Sequence, residues 1–405
     1  MFRKKCLMCD QSNLSEIIDL GMHPLADTFV ESEKLHLSEK VYPLVTQLCE
    51  NCGNIQLKCT TTPEERYQDN PYSYTSSNSA FSRDYWFEYA DNVSKLFPNK
   101  KILKILEIGS NDGFLLNELK KLGHQTIGID ASLAIAEIAR TRGIITEVGI
   151  FEENFSREIV KKHGQFDLII ANNVFNHSDN PKSFFEGIKN LLLNDGLFVF
   201  ESPYWLNSIK SGKFDQIYHE HVTYSAVKPI KKLVSFCELH IYDIFLSEYH
   251  GGSLRFVVSK KENKKNLDKV KAMINEENNF ELYSSTFYKK FMRDLNIKKN
   301  IFMEKIYKKL IVSEPFVCIG AAAKGNTFLN FYGLNNKIIN YVTDSSENKI
   351  GKYTPLTRIP ITSDEIIKDF KKPNIIFTAW NVSENLKKII HKINPNYVEQ
   401  NPYEN

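Results

Sequence analysis

The sequence predicts an α/β protein with a parallel central sheet covered by helices, preceded by a cysteine-rich segment and followed by a smaller α/β unit. Three observations carry this. Strands alternate with helices from about residue 100 to 259, a second alternation runs from 315 to 393, and five of the seven cysteines fall within the first 59 residues. Alternation of this kind argues for parallel strands joined by helical crossovers.

The first 75 residues read as loop-rich, because Gly21, Pro24, Pro43, Gly53, Pro63 and Pro71 interrupt each regular pattern. So little apolar surface requires a staple. The run 101–108 reads as a buried strand closed by Gly109, 114–122 has helical spacing, and 126–130 is a second strand. Ser132 is placed to cap a helix over 133–142. A strand over 166–171, a helix over 181–192 and a strand over 196–201 follow. After a helix near 227–238, strands 239–246 and 252–259 are close enough to form an antiparallel hairpin at the sheet's edge. Residues 260–312 are rich in Lys, Glu and Asn with apolar residues at helical intervals, which predicts long bridging helices with solvated outer faces. The last unit predicts strands at 315–319, 338–343 and 374–379, with helices at 324–332 and 381–393. The resulting division is 1–75, 76–260, 261–312 and 313–405.

Composition narrows the function classes. Over 405 residues the net charge is +3, which allows an anionic small-molecule ligand without the basic footprint of a nucleic-acid binder. No apolar run approaches the length that spans a bilayer. The basic start of the chain lacks an apolar stretch behind it, so the expectation is a cytoplasmic protein, a monomer with neither membrane nor nucleic-acid partner.

Cys6-x-x-Cys9 and Cys49-x-x-Cys52 are two matched knuckles. Each turn presents two thiolates, and four soft sulfurs close the tetrahedral shell of a zinc ion. No position is left for a reacting water, so the expected metal is structural. Buried free thiols and a redox pair are the competing readings, and Cys59 is expected to stand outside the set.

Glu107-Ile-Gly109-Ser-Asn111-Asp-Gly113 lies between a strand and a helix. Its glycines permit close approach of a ligand to the backbone. A dinucleotide is the natural rival, but the spacing G-x-x-x-G is not the dinucleotide fingerprint. Glu107 before the turn suits a cationic methionine amine, and Asp130 at the end of the next strand suits ribose hydroxyls. These details point to S-adenosylmethionine. Asn172, Asn173 and His177 sit where the strand 166–171 runs out to its C-terminal edge, the usual ligand side of an open α/β sheet.

Tyr218-His219-Glu220-His221, followed by Tyr224, gathers a base, an orienting partner and a hydrogen-bond donor in one loop. Two histidines and a carboxylate could instead hold a metal, or the loop could carry no chemistry. His250-Gly-Gly-Ser-Leu-Arg255 is a further compact motif. Gly320-Ala-Ala-Ala-Lys324-Gly-Asn326-Thr327 opens a helix, where amides and a lysine can hold phosphate oxygens.

Together these motifs, with Asp19 to Ala26, Tyr72-x-Tyr74-x-Ser76-Ser77 and Trp380-Asn381, resemble the zinc-containing sugar C-methyltransferases of deoxysugar biosynthesis. The resemblance covers nearly the whole chain. It implies a class I, Rossmann-like methyltransferase domain between a zinc domain and a C-terminal α/β domain that helps hold a nucleotide-diphospho-4-keto-6-deoxysugar. It further implies His221 as the base, with Tyr218, Glu220 and His177 beside it, and Tyr72, Tyr74, Ser76, Arg255, Lys324 and Asn326 on the substrate. Methylation of an oxygen or nitrogen on another small molecule or a nucleic acid, or a non-catalytic zinc scaffold, are the alternatives. One departure stands out. Where such proteins commonly have Pro-Gly-Thr, this chain reads Pro355-Leu356-Thr357-Arg358, which bears on the choice of sugar and nucleotide.

Overall fold

The computed structural model describes residues 2–67, 75–77, 80–311 and 315–403. The N-terminal segment is more regular than its prolines and glycines suggest. Strands β1 (Leu14–His23), β2 (Tyr42–Cys49) and β3 (Ile55–Leu57) form an antiparallel sheet. The pairing of β1 with β2 slips between Glu16 and Ile18 and again between Asp19 and Met22. Each slip changes which face a side chain takes, which erases the period-two pattern by which a strand is read.

The central unit follows the predicted order. Strands β4 (Lys104–Ile108), β5 (Gln125–Asp130), β6 (Ile145–Val148), β7 (Phe166–Asn172) and β8 (Leu192–Pro203) are parallel. A two-residue strand, β9 (Thr223–Tyr224), leaves this sheet and pairs with β3. Strands β10 (His240–Ser247) and β11 (Ser253–Ser259) then complete seven strands in the order β10-β11-β8-β7-β4-β5-β6. The expected hairpin exists, but only β10 is an edge; β11 is inserted antiparallel between β8 and β10. Strand order reverses between β4 and β7, so the crevice for a ligand opens at their C-terminal ends.

Buried phenylalanines fill the space beneath the sheet. Phe198 stacks on Phe200 and Phe200 on Phe256; Phe185 meets Phe198 and Phe200 edge-on, and Phe175 and Phe184 lie tilted against Phe200 and Phe198. Each such burial contributes roughly 1.5–3 kcal/mol before entropy is counted.

The bridge consists of helices Leu267–Asn279 and Ser285–Leu310. The first does local work on the central unit. Helix Val227–Phe236 begins after Ala226, which has no side chain to cap it, and Glu277 of the bridge accepts the free amides of Val227 (2.5 Å) and Lys228 (3.1 Å) instead. The second helix packs along β1. Strands β12 (Phe316–Ile319), β13 (Tyr341–Thr343), β14 (Ile361–Thr362), β15 (Asn374–Phe377) and β16 (Val398–Glu399) form a parallel C-terminal sheet, ordered β14-β13-β12-β15-β16. Among the described residues no helix is long and apolar enough to cross a membrane.

Candidate active site

The sulfur atoms of Cys6, Cys9, Cys49 and Cys52 all lie within 4.8 Å of one another. Tetrahedral zinc with Zn–S of about 2.3 Å requires sulfurs about 3.8 Å apart, so the set fits the ion. Asn51 and Asn54 amides reach Cys9 and Cys6 at 3.7 Å, supplying donors to thiolate charge. Cys59 is buried but stands outside the group. The knuckles are also docked onto the central unit. Arg3 pairs with Asp179, Lys182 with Asp10, and Lys232 donates to the Asn51 carbonyl at 2.8 Å.

At the end of β4 the chain turns sharply. Gly109 has φ +66°, and a Cβ there would meet Val174 at 2.3 Å; Gly113, with φ +72°, precedes helix Phe114–Lys121. Asn111 also lies in the left-handed region. Its amide donates to Asp130 Oδ2 and that of Ser132 to Oδ1, both at 2.9 Å, which locks the turn against the end of β5. Glu107 is buried with one carboxylate oxygen unpartnered, and burial together with Asp112 and Asp130 raises its pKa well above the ordinary value. Both amide atoms of Asn172 and the side-chain oxygen of Asn173 are likewise buried without partners. Asp112 is paired with Arg142 at 3.2 Å, but Glu107 has no cationic partner among the described residues, and its carboxylate beside unpaired amides and a glycine turn fits the ammonium and sulfonium groups of adenosylmethionine. When bound, that cofactor supplies an electrophilic methyl group.

The catalytic candidates come together at the same edge. The turn after β7 carries Val174 against Gly109 and, in its last position, His177. The His177 ring lies edge-on to His221, centroids 5.0 Å apart. His221 Nδ1 faces the Gln216 carbonyl at 2.9 Å, so that nitrogen carries the proton. Nε2 then accepts from the Tyr218 hydroxyl at 2.6 Å. Burial lowers the His221 pKa to about 3, keeping the ring neutral. Glu220 is pushed up to about 7 by burial and then by Asp27, near where a proton carrier works best. Its Oε2 is unpartnered. His219 is the exception. It turns toward the N-terminal sheet, where its ring meets Tyr42 edge-on at 5.7 Å.

A small cavity behind His221 is lined by Asn176, Gln216, Thr223 and Tyr224 among others, and the side-chain polar atoms of Asn176, Thr223 and Tyr224 have no partner there.

The remaining expected residues divide. Lys324 is enclosed beside this loop, donating to Asn381 at 2.6 Å; burial lowers its pKa to about 8 while Asp215 opposes the shift. Lys213 is lowered to about 8 for the same reason, and Asp215 accepts from Trp380 (2.6 Å) and Tyr403 (2.9 Å). Asn326 donates to the Ala26 carbonyl at 2.6 Å, and Thr327 to that of Ile217 at 3.0 Å, so this helix start is fastened to both neighbouring units. Ser76 bonds to Asp112 at 2.6 Å, beneath the glycine turn. Arg255 pairs with Glu201 at 2.9 Å and with the Tyr85 hydroxyl at 2.9 Å, on the sheet itself. Tyr72 and Tyr74 lie outside the described residues. Gly251 has φ +84°, and the Trp380 ring would stand 2.3 Å from a Cβ there, so both backbone and space call for glycine.

The Pro355–Arg358 departure has a backbone meaning. Leu356 occupies φ +62°, a conformation glycine adopts without strain, and its amide donates to Glu39 at 2.7 Å. Arg358 also faces Glu39 and the Leu37 carbonyl, so Leu356 and Arg358 both reach to the N-terminal unit.

Sequence reasoning missed Tyr67, whose hydroxyl meets His177 Nδ1 at 2.6 Å, and Asp179, which holds both Arg3 and Arg66. It also missed Lys213 and Asp215. A separation of 110 residues between Tyr67 and His177 left no local pattern to find.

Comparisons with known proteins bear on this geometry. Residues 6–67 match a family described as "Putative zinc binding domain", residues 83–235 a "Methyltransferase domain", and residues 248–398 a "C-methyltransferase C-terminal domain". Fold, turn and matches define a methyltransferase dependent on adenosylmethionine. The chain joins, in order, matches to a zinc-binding domain, a methyltransferase domain and the C-terminal domain of C-methyltransferases. It is 25% identical over 378 residues to C-methyltransferase NovU of Streptomyces niveus, covering 93% of this chain and 90% of that one. A ubiquinone biosynthesis O-methyltransferase of Glaesserella parasuis is 31% identical, but over 105 residues, 24% of this chain and 44% of the relative. The solved magnesium protoporphyrin IX methyltransferase of Synechocystis aligns with 45% of this chain and 88% of its own at 14% identity, with a TM-score of 0.36.

Proposed function

We propose that the enzyme methylates the carbon next to the ketone, C3, of a nucleotide-diphospho-4-keto-6-deoxysugar by way of an enolate. The observation that carries this is the Tyr218–His221 pair, held neutral and edge-on to His177, at the sheet edge where the glycine turn lies. A carbon acceptor has no lone pair and becomes nucleophilic only when its C–H proton is removed, whereas an oxygen or nitrogen acceptor already carries one. His221 takes the proton from the sugar carbon. Its Nε2 is the nitrogen with a lone pair, because the Gln216 carbonyl fixes the other as N–H. Tyr218 then turns its hydroxyl from Nε2 to the enolate oxygen, and Glu220 and His177 share or orient the proton. Lys324, with Asn326 at the same helix start, is the cationic group on the diphosphate side.

The name of the NovU relative supports a carbon acceptor. The O-methyltransferase relatives match only about a quarter of this chain, so they speak to the cofactor half. We take the enzyme to be a cytoplasmic monomer, divided near residues 75, 260 and 312.

The test is mass spectrometry of freshly generated 4-keto nucleotide sugars incubated with enzyme and adenosylmethionine, with RNA in a parallel arm. One sugar should gain the mass of a CH2 group on carbon. Transfer to RNA alone, or to a hydroxyl of the sugar, would overturn the reading.

A further inference from the structure

The histidine opposite the base has a partner of its own, drawn from the N-terminal unit. Tyr67 Oη lies 2.6 Å from His177 Nδ1, and the two rings are tilted with centroids 6.1 Å apart. The sense of this bond follows from acidity. A phenol is a far stronger donor than a neutral imidazole N–H, and an imidazole nitrogen a far stronger acceptor than a phenol oxygen. Tyr67 therefore donates and Nδ1 accepts. Burial, with His221 and Arg66 adding to it, holds His177 neutral, so its one proton resides on Nε2.

His221 is arranged the other way round. The Gln216 carbonyl places its proton on Nδ1 and leaves Nε2 as acceptor. Two imidazoles whose centroids are 5.0 Å apart are thus fixed as opposite tautomers, His177 by the Tyr67 hydroxyl and His221 by the Gln216 carbonyl. We propose that Tyr67 is a positioning residue that sets His177 as an Nε2–H donor, so that the site pairs one imidazole that accepts a proton with one that donates a hydrogen bond.

The surroundings fit this role. Among the described residues His177 Nε2 has no protein partner, so its N–H is available to an oxygen of the substrate. Tyr67 is held from behind. The Arg66 guanidinium lies 5.6 Å from its ring centroid, donates to the Thr61 carbonyl at 3.1 Å and pairs with Asp179. Asp179 follows His177 by two residues and also binds Arg3. The same carboxylate thus anchors the short helix Pro63–Tyr67, which ends on Tyr67, and the turn that carries His177. Sequence distance hides the pair, because Tyr67 enters from beyond the zinc knuckles and His177 from the end of β7.

The tautomer itself is observable without any substrate, which separates this inference from the sugar assignment on which its use rests. In the zinc-loaded protein labelled with 15N in its histidines, two-bond 1H–15N correlations should place His177 Nδ1 as unprotonated and Nε2 as protonated, and His221 the reverse. Tyr67→Phe should release His177 into a mixture of tautomers while His221 keeps its own. With the sugar identified by the panel above, the same variant should lose about tenfold in kcat, the size of one hydrogen bond, with both KM values within about twofold. A proton on His177 Nδ1 in the wild-type protein overturns the proposal, as does an unaltered kcat in a folded variant. If the variant fails to fold, the wild-type spectrum alone decides.

Discussion

The chain builds the same strand–turn–helix device twice, in the central sheet and in the C-terminal one. In the first, Ser110 N–H donates to the Ile129 carbonyl, and Asp130 takes the amides of Asn111 and Ser132, each at 2.9 Å. In the second, Gly320 N–H donates to the Thr343 carbonyl at 2.8 Å, and Asp344 takes the amides of Ala321 (2.8 Å) and Ser346 (2.9 Å). Backbone geometry is nearly shared. The side chains around it are not. At the first turn Glu107, Asn172 and Asn173 are left with buried polar atoms unpaired. At the second, Thr378 donates to the Gly320 carbonyl and Lys349 to that of Ala321, both at 2.8 Å, and Ala379 packs against the glycine. A turn that leaves polar groups unsatisfied is built for a ligand; one that satisfies its own carbonyls is built for packing and for presenting Lys324.

The largest effect should come from neither turn. The Tyr218–His221 loop lies between the two units, and His221→Asn should lower kcat by about a thousandfold or more. It should also abolish solvent deuterium exchange at the carbon next to the ketone, while calorimetry finds adenosylmethionine affinity unchanged. Retained exchange would remove His221 from its role.

The turns themselves separate next. Gly109→Ala places a methyl group 2.3 Å from Val174 at φ +66° and should weaken cofactor binding about a hundredfold by titration. Gly320→Ala meets Ala379 at 2.5 Å, at φ +100°, and should lower the melting temperature with cofactor affinity intact. Equal losses of affinity would break the distinction between the two units. The carboxylates sharpen it further. Asp130→Asn should raise the adenosylmethionine Kd about tenfold, the worth of one charge-assisted hydrogen bond, and Asp344→Asn should leave it alone.

The smallest effect is on stability. Glu220 ionises near its ordinary 4.5 in the unfolded chain but is held up to about 7 in the folded one, chiefly by burial. Between those values the folded state binds more protons, so stability falls as pH rises through the window. Glu220→Gln should flatten that slope in thermal melts. A slope that persists would place its origin in another group.

Some of this was legible in one dimension. The cysteines of each zinc knuckle have two residues between them, and the glycine turn and the 218–221 cluster are contiguous, so short-range spacing carries their chemistry. Much of the rest was not. The slipped register of β1 removed the alternation that marks a strand, and β9 is too short to be read before its partner β3 is known. Ser76, Asn326 and Arg255 stood out as polar residues in compact motifs, yet the fold commits their side chains to Asp112, to the Ala26 carbonyl and to Glu201.

What the sequence determined by itself is therefore the α/β plan, the zinc knuckles and a set of candidate reactive groups, because periodicity and motif spacing act over a few residues. Tertiary structure alone decided which nitrogen of each histidine carries a proton, which buried acids lack a partner and which of two like turns stays open. The contacts behind them are set by the fold rather than by spacing: Tyr67 reaches His177 across 110 residues and Thr378 reaches Gly320 across 58, and a local pattern holds no record of either.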